Sequence, residues 1–90
     1  MKVRGLRGAT TVEENSREEI LSATHEVLRT MISENNVSED DISAIFFTTT
    51  RDLNAEFPAA AARIHMGWTN AALMSSHEMD VPDSPQKCIR

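Results

Sequence analysis

The N-terminal part of the chain contains an arginine with unusual neighbours. In the stretch RGLRGATTVE, residues 4–13, Arg7 is surrounded by small residues. If this stretch is a β-strand, its side chains alternate between two faces, so that Gly5 and Ala9 share the face of Arg7. A guanidinium in such a setting needs a partner, because burial of an unpaired charge is costly. The pattern therefore predicts that Arg7 pairs with a group of opposite charge.

Three further charged residues are candidates for the same chemistry. They are Arg63 in the middle of the chain and Glu78 and Arg90 near its end. Each of them alone is more often a surface charge or half of a salt bridge. Because the net charge is −5, any bound anion must be held by a local arginine cluster against the overall field. These residues indicate anion binding only when they are considered together with the sequence around them.

Other reactive residue types do not form a recognisable site. The three histidines have no metal-ligand spacing, and HEMDV at 77–81 lacks the second histidine of a zinc-protease motif. Ser75 and Ser76 precede His77 without the G-x-S-x-G elbow of a serine hydrolase. We therefore predict surface or hydrogen-bonded histidines, no bound metal and no cofactor.

The composition restricts the class of protein and its setting. The 90 residues are 40% hydrophobic and 26% charged, as in a folded globular domain that gains stability by oligomerising. The negative net charge argues against nucleic acid as a partner. No apolar stretch suggests a signal peptide or a membrane span. With Cys88 as the single cysteine, we expect a reducing, cytoplasmic setting and no intrachain disulfide.

Hydrophobic patterning and turn residues predict the elements that must position these side chains. Ser16 and Glu19 form a capping-box sequence in front of an apolar helical period. Pro58 and Gly67 mark the two ends of a shorter helix. The expected elements are a strand at 2–12, a helix at 16–34, a single turn at 38–41, a buried strand at 42–50, a helix at 58–66, a strand at 70–76 and the start of a last strand at 86–90. This order predicts an α/β (α+β) domain with a small mixed sheet and two helices packed on one face.

Three stretches of the sequence, taken in order, resemble a known family. They are RGATTVE at 7–13, DLNAEFPAAAARIHMGW at 52–68, and EMDV at 78–81 followed by KCIR at 87–90. Together they resemble the monofunctional chorismate mutases of the trimeric α/β-barrel class, and the match extends over the whole chain. The resemblance implies the Claisen rearrangement of chorismate to prephenate, a step toward phenylalanine and tyrosine that uses no cofactor or metal.

By this resemblance, three charged residues act on the substrate. Arg90 is the cation beside the ether oxygen, Arg7 binds a carboxylate, and Glu78 accepts a hydrogen bond from the ring hydroxyl. The further residues that the resemblance implies in the substrate pocket are Phe57, Ala59, Arg63, Leu73, Met74, Ser75, Ser76 and His77. The family forms homotrimers with pockets at the subunit interfaces, so Arg7 and Glu78 need not come from the same chain.

The chain departs from the family pattern at several positions. Ala60 and Ser75 stand where the family often has lysine and cysteine, and the sequence contains no tyrosine. The family continues beyond the position of Arg90 with a tyrosine that reaches the substrate. We therefore expect the single domain at 1–90 to lack a C-terminal strand and tail. A second hypothesis is a non-catalytic, trimeric anion-binding module of the same fold.

Overall fold

The computed structural model describes residues 2–90, which form a four-stranded sheet and two α-helices. In chain order the elements are β1 (Thr10–Thr11), α1 (Arg17–Asn35), a 3-10 turn (Glu39–Asp41), β2 (Ala44–Thr49), α2 (Ala59–Ile64), β3 (Ala72–His77) and β4 (Cys88–Ile89). Apart from the first strand, each element lies within or close to the residues predicted for it. No helix in this part of the chain is long and apolar enough to cross a membrane.

The strands form one mixed sheet in the order β1-β4-β2-β3. β2 and β3 are parallel, in a register that sets Thr49 opposite His77. β4 is antiparallel to both β1 and β2, with Ile89 opposite Thr49. The predicted mixed sheet is confirmed. Because β2 and β3 run in the same direction, their C-terminal ends lie at the same end of the sheet, where β4 pairs with the end of β2.

Helix α1 begins where the sequence predicts, although its cap differs from a reciprocal capping box. Ser16 is the N-cap, and its Oγ accepts a hydrogen bond of 3.2 Å from the N–H of Glu19. The Glu19 carboxylate accepts from the N–H groups of Glu13 and Glu14, at 3.0 and 3.3 Å. Glu19 therefore joins the segment after β1 to the first turn of the helix. At the other end, Asn36 adopts a left-handed conformation with φ of 57°, which asparagine tolerates well.

The core lies between the helices and one face of the sheet. The buried helix residues are Ile20, Leu21, Thr24 and Leu28 of α1 and residues 59–62 of α2. From the sheet side, Phe47 packs with both helices, and Ile89 and Leu53 pack against Ile20. The buried residues of α2 are all alanines, whose short side chains allow the helices to approach closely. The prediction of two helices on one face of the sheet is confirmed.

The other face of the sheet is exposed in the single chain. Burial alternates along β2, where Phe47 and Thr49 are buried and Phe46 is 67% exposed. Met74 of β3 lies opposite Phe46 and is 59% exposed. The strand predicted to be buried at 42–50 is therefore buried on one face only. Exposed large apolar side chains that adjoin one another are typical of a surface that binds another molecule.

The predicted strand at 2–12 is wrong over most of its length. Within the described residues, Thr10–Thr11 pair with β4, and the residues before them have no strand beside them. A strand needs a partner for its N–H and C=O groups, and the described part of β4 reaches only Ile89, opposite Thr10. The segment instead lies against α1, where a Cβ atom on Gly8 would be 3.0 Å from Sδ of Met31. Glycine at position 8 therefore allows the backbone to approach Met31 of α1 more closely than a residue with a side chain would.

Candidate functional site

The ends of β3 and β4 bring a carboxylate and a guanidinium together. Glu78 follows β3, and its N–H donates to the carbonyl of Thr49 at 2.9 Å. Arg90 follows β4, and its N–H and carbonyl both form hydrogen bonds of 2.8 Å with the backbone of Thr48. Nε of Arg90 lies 3.1 and 3.2 Å from the two carboxylate oxygens of Glu78. The register of the sheet thus brings Glu78 and Arg90, two of the charged residues identified from the sequence, into contact.

Thr48 completes a group that we call the Thr48–Glu78–Arg90 cluster. The hydroxyl of Thr48 donates to Oε2 of Glu78 at 3.1 Å. Because Phe47 and Thr49 are buried on the helix side, the intervening Thr48 points to the opposite face. The hydrogen bonds of Thr48 and Arg90 to one carboxylate place all three polar groups together on that exposed face.

The guanidinium of Arg90 is a fixed cation with donors available for a ligand. Its hydrogen bond to Glu78 raises the pKa of Arg90 above its usual value, so the group stays charged. The side chain of Arg90 is 48% exposed, and that of Glu78 is 18% exposed. In the described part of the chain, Arg90 binds Glu78 through Nε, and its two Nη groups have no hydrogen-bond partner. A guanidinium held in this way can donate hydrogen bonds to an anion in a defined direction.

The segment predicted to line the pocket at 73–78 is divided between the two faces of the sheet. Met74 and Ser76 are exposed on the same face as the cluster. Leu73 packs into the core on the helix side. The hydroxyl of Ser75 is also buried, without a hydrogen-bond partner among the described residues. Because side chains alternate along a strand, successive residues cannot all face one pocket.

The histidines take part in contacts that the spacing along the chain does not reveal. Nδ1 of His77 lies 3.2 Å from the hydroxyl of Thr49 at the end of β3. The rings of His25 and His65 stack, with centroids 4.9 Å apart and planes inclined by 18°. This stacking joins α1 to the end of α2. For His77, the prediction of a hydrogen-bonded histidine is confirmed.

Arg7 does not reach the cluster within its own chain. It is exposed and lines a shallow depression with Gly8 and the side of α1 that carries Glu26 and Glu34. The ion pair predicted for Arg7 is therefore not found among the described residues of the single chain. The position of Arg7 leaves its guanidinium available to a ligand or to a neighbouring chain.

The residues around α2 that were predicted to line the pocket differ in exposure. Phe57 is 67% exposed just before the helix, and Arg63 is exposed on the helix itself. Ala59 is 6% exposed and packs in the core. The loop before α2 is held to α1 by Glu56, whose carboxylate binds Nε of Arg17 at 3.0 Å. The side chains of Phe57 and Arg63 are therefore accessible to a ligand, whereas that of Ala59 is not.

A hydrogen-bonded loop that the sequence analysis missed positions β4. The hydroxyl of Thr50 accepts from the N–H of Cys88 at 3.0 Å and donates to the carboxylate of Asp52. This carboxylate also accepts from the N–H of Lys87, at 3.0 and 3.2 Å. The available signal was the run of threonines at 48–50 with an aspartate two residues after it, since such side chains often bond to nearby backbone groups. The loop fixes β4 beside β2, and it thereby positions Arg90, which follows β4, in the cluster.

We expect Asp52 to make the stability of this loop dependent on pH. The hydrogen bond from Thr50 is the main cause that lowers the pKa of Asp52 below its usual 3.8, and bonds from Lys87 act in the same direction. A carboxylate whose pKa is lowered by folding stabilises the fold above its unfolded pKa, and this stabilisation is lost as pH falls through the folded pKa. Asp52→Asn should therefore reduce the free energy of unfolding at pH 7, by up to about 1 kcal/mol for this exposed group. Urea unfolding over a pH series measures the difference, which should shrink at acid pH; a loss independent of pH would contradict this role.

The fold and the cluster define a class: a small mixed α/β domain that presents a carboxylate–guanidinium pair at the ends of its strands. Residues 3–90 match the family model described as chorismate mutase type I. The chain therefore belongs to the chorismate mutase type I family. The resemblance seen in the sequence motifs is confirmed.

Named relatives agree with this family. The chain is 43% identical over 90 residues to chorismate mutase AroH of Bacillus subtilis (strain 168), a match that covers 100% of this chain and 71% of the relative. It is 45% identical over 89 residues to chorismate mutase AroH of Thermus thermophilus, with 98% of this chain and 72% of the relative covered. The solved structure of a chorismate mutase from Clostridium thermocellum shares 53% identity and a TM-score of 0.87, and the match covers 90% of this chain and 71% of that chain.

Proposed function

We propose that this chorismate mutase converts chorismate to prephenate in pockets completed between the subunits of a homotrimer, with Arg90 as the principal cation. The observation that carries the proposal is the Glu78–Arg90 pair on an exposed sheet face of a chain in this family. The reaction is a rearrangement within one molecule, in which an ether C–O bond breaks while a C–C bond forms. Its product is a precursor of phenylalanine and tyrosine.

Arg90 contributes to the rate by acting on charge that develops during the reaction. As the C–O bond breaks, negative charge grows on the ether oxygen, and the Nη groups of Arg90 donate to this oxygen. Glu78 holds Nε of Arg90, so the guanidinium is oriented before the substrate binds. A cation placed in this way stabilises the transition state more than the substrate, which raises kcat.

Glu78 has a second function toward the ring hydroxyl of the substrate. Its Oε1 accepts from Arg90, and its Oε2 accepts from Arg90 and Thr48. A carboxylate has about four lone-pair sites, so it can still accept one bond from a hydroxyl. This bond, together with carboxylate binding by Arg7, holds the ring and the enolpyruvyl arm in a reactive conformation.

The homotrimer is proposed because one chain presents separate parts of the pocket. Phe46 and Met74 form an exposed apolar patch beside the cluster, and a domain of 90 residues gains stability by burying such a patch. Arg7 lies on the segment along α1, away from the cluster. A neighbouring chain that packs on the exposed sheet face can supply its own Arg7 to the cluster.

The remaining predicted residues complete the pocket in different ways. Phe57 forms an apolar wall, Arg63 attracts the dianionic substrate, and Ser76 and Met74 line the floor beside the cluster. The other predicted residues lie on the helix side of the sheet and support the strand and helix that carry these groups. They are Ala59, Leu73, Ser75 and His77.

The proposed pocket is tested by mixing two inactive variants. Arg7→Ala and Arg90→Ala are each expected to lose activity, measured as the loss of chorismate absorbance. When the two are refolded together, every mixed cyclic trimer contains one interface at which an intact Arg90 meets an intact Arg7. Random mixing in equal amounts should therefore restore about one quarter of the wild-type pockets.

The matched control mixes variants of two residues that one and the same chain supplies to a pocket. Glu78 and Arg90 are bonded within one chain, so mixing Glu78→Ala with Arg90→Ala should restore nothing. If the first mixture also stays inactive, Arg7 and Arg90 do not meet across an interface. If the wild-type protein consumes chorismate no faster than the uncatalysed reaction, the proposed function itself is wrong.

A further inference from the structure

We infer that Thr48 is a positioning residue for the reaction, which acts by holding Glu78 and Arg90 in one arrangement. The inference rests on the proposed function of the Glu78–Arg90 pair. Thr48 is bonded to both partners: its backbone N–H and carbonyl pair with Arg90 at 2.8 Å, and its Oγ1 donates to Oε2 of Glu78 at 3.1 Å. Through these bonds Thr48 joins Glu78, which follows β3, to Arg90, which follows β4.

The pair alone is not sufficient to fix the orientation of the guanidinium. Glutamate and arginine have long, flexible side chains, and ion pairs with exposed partners contribute little. Arg90 is 48% exposed on its side-chain atoms, so solvent competes for its bonds. Without the hydroxyl, the Glu78 carboxylate can rotate about its terminal bond and carry the guanidinium with it.

Thr48 is suited to oppose this motion. A β-branched side chain has restricted rotation about χ1. The backbone of Thr48 is bonded to Arg90 on one side and lies opposite Ser76 of β3 on the other. Its hydroxyl therefore presents a donor at a fixed point. The Glu78 carboxylate accepts from this hydroxyl at Oε2 and from Nε of Arg90 at both oxygens. These bonds together keep it in a single orientation.

Two substitutions separate this role from a general effect on folding. Thr48→Val removes the hydroxyl and keeps the branched shape, whereas Thr48→Ser keeps the hydroxyl. We expect Thr48→Val to lower kcat for chorismate about tenfold, the size of one hydrogen bond to a charged group, with little change in KM or melting temperature. Thr48→Ser should retain most of the activity.

A double-mutant cycle tests whether Thr48 acts through Glu78. In a Glu78→Ala background, Thr48→Val should have less than about a twofold further effect, because its partner has been removed. A tenfold loss in both backgrounds would overturn the inference while leaving the proposed function intact. A loss in Thr48→Ser as large as in Thr48→Val would overturn it as well.

A second measurement does not depend on turnover. The Nε–H proton of Arg90, assigned by ¹⁵N NMR from its absence in Arg90→Lys, should exchange with water slowly in the wild-type protein. Thr48→Val should accelerate this exchange about tenfold, and Thr48→Ser should not. An unchanged exchange rate in Thr48→Val would show that the hydroxyl does not hold the pair, whether or not the protein acts on chorismate.

Discussion

Replacing Arg90 with alanine should lower kcat for the conversion of chorismate to prephenate by about 100- to 1000-fold. This is the loss typical of removing one donor that stabilises a developing oxyanion. KM should change much less, because the charge on the ether oxygen grows in the transition state and is small in the substrate. Steady-state kinetics from chorismate absorbance provide both constants.

Two further variants show whether the loss of kcat in Arg90→Ala is due to the geometry of the guanidinium or to its charge alone. Arg90→Lys keeps the positive charge but loses the planar group that binds both Glu78 and the substrate, so it should remain severely impaired. Arg29→Ala removes one positive charge from the exposed side of α1 and should leave kcat within about twofold. An Arg90→Ala enzyme in which KM rises and kcat is unchanged would contradict the electrostatic role, since the cation would then bind substrate and transition state equally.

Replacing Ile20 with alanine should reduce the free energy of unfolding by about 2–5 kcal/mol. Ile20 is fully buried, and it packs against Leu53 and Ile89. Removing three carbon atoms leaves a cavity between α1 and the strand that precedes Arg90. For a small domain this is a large share of the total stability, which is typically about 5–15 kcal/mol. Urea unfolding measures the loss, at one protein concentration because oligomers are stabilised by association.

The matched control is the same substitution at an exposed position. Ile64 is 58% exposed at the end of α2, and Ile64→Ala should cost less than about 1 kcal/mol. If both variants lose the same amount, burial in the core is not the cause. If Ile20→Ala unfolds with wild-type stability, the packing of α1 on β4 is not as described.

Helix α1 shows which parts of the fold were predictable from the sequence. Ser16 caps the helix by a bond to the N–H of Glu19, three residues along the chain, and Asn36 ends it. The signals for both ends lie within one turn of the groups that they satisfy. Such interactions depend on residues that are close in the chain, so their pattern is visible in the sequence.

The N-terminal strand shows the opposite case. The β-branched residues Thr10, Thr11 and Val12 predicted a strand over 2–12, yet in the described chain only Thr10–Thr11 form a strand beside β4. Composition can show that a segment suits an extended conformation, but a strand also needs a neighbour that accepts and donates its hydrogen bonds. Whether a neighbour is present depends on the whole sheet, and for this segment the described chain provides none.

The candidate site combines both kinds of information. Glu78 and Arg90 were selected because their motifs resemble those of the chorismate mutases, and the structure adds the contact between them. Thr48 was not selected, because its bonds to both residues cross between strands that are far apart in the chain. The division of Met74 and Leu73 between opposite faces of the sheet likewise follows from the register of β3 with β2.

The sequence by itself determined the order of the elements, the ends of α1, the mixed α/β class and the family. These follow from local hydrogen bonds, hydrophobic periodicity and ordered motifs. Only the tertiary structure decided that Thr48, Glu78 and Arg90 form one cluster, and that Arg7 is outside it in the single chain. The physical reason is that sheet pairing joins distant residues through backbone hydrogen bonds, whose register is set by the packing of the whole domain.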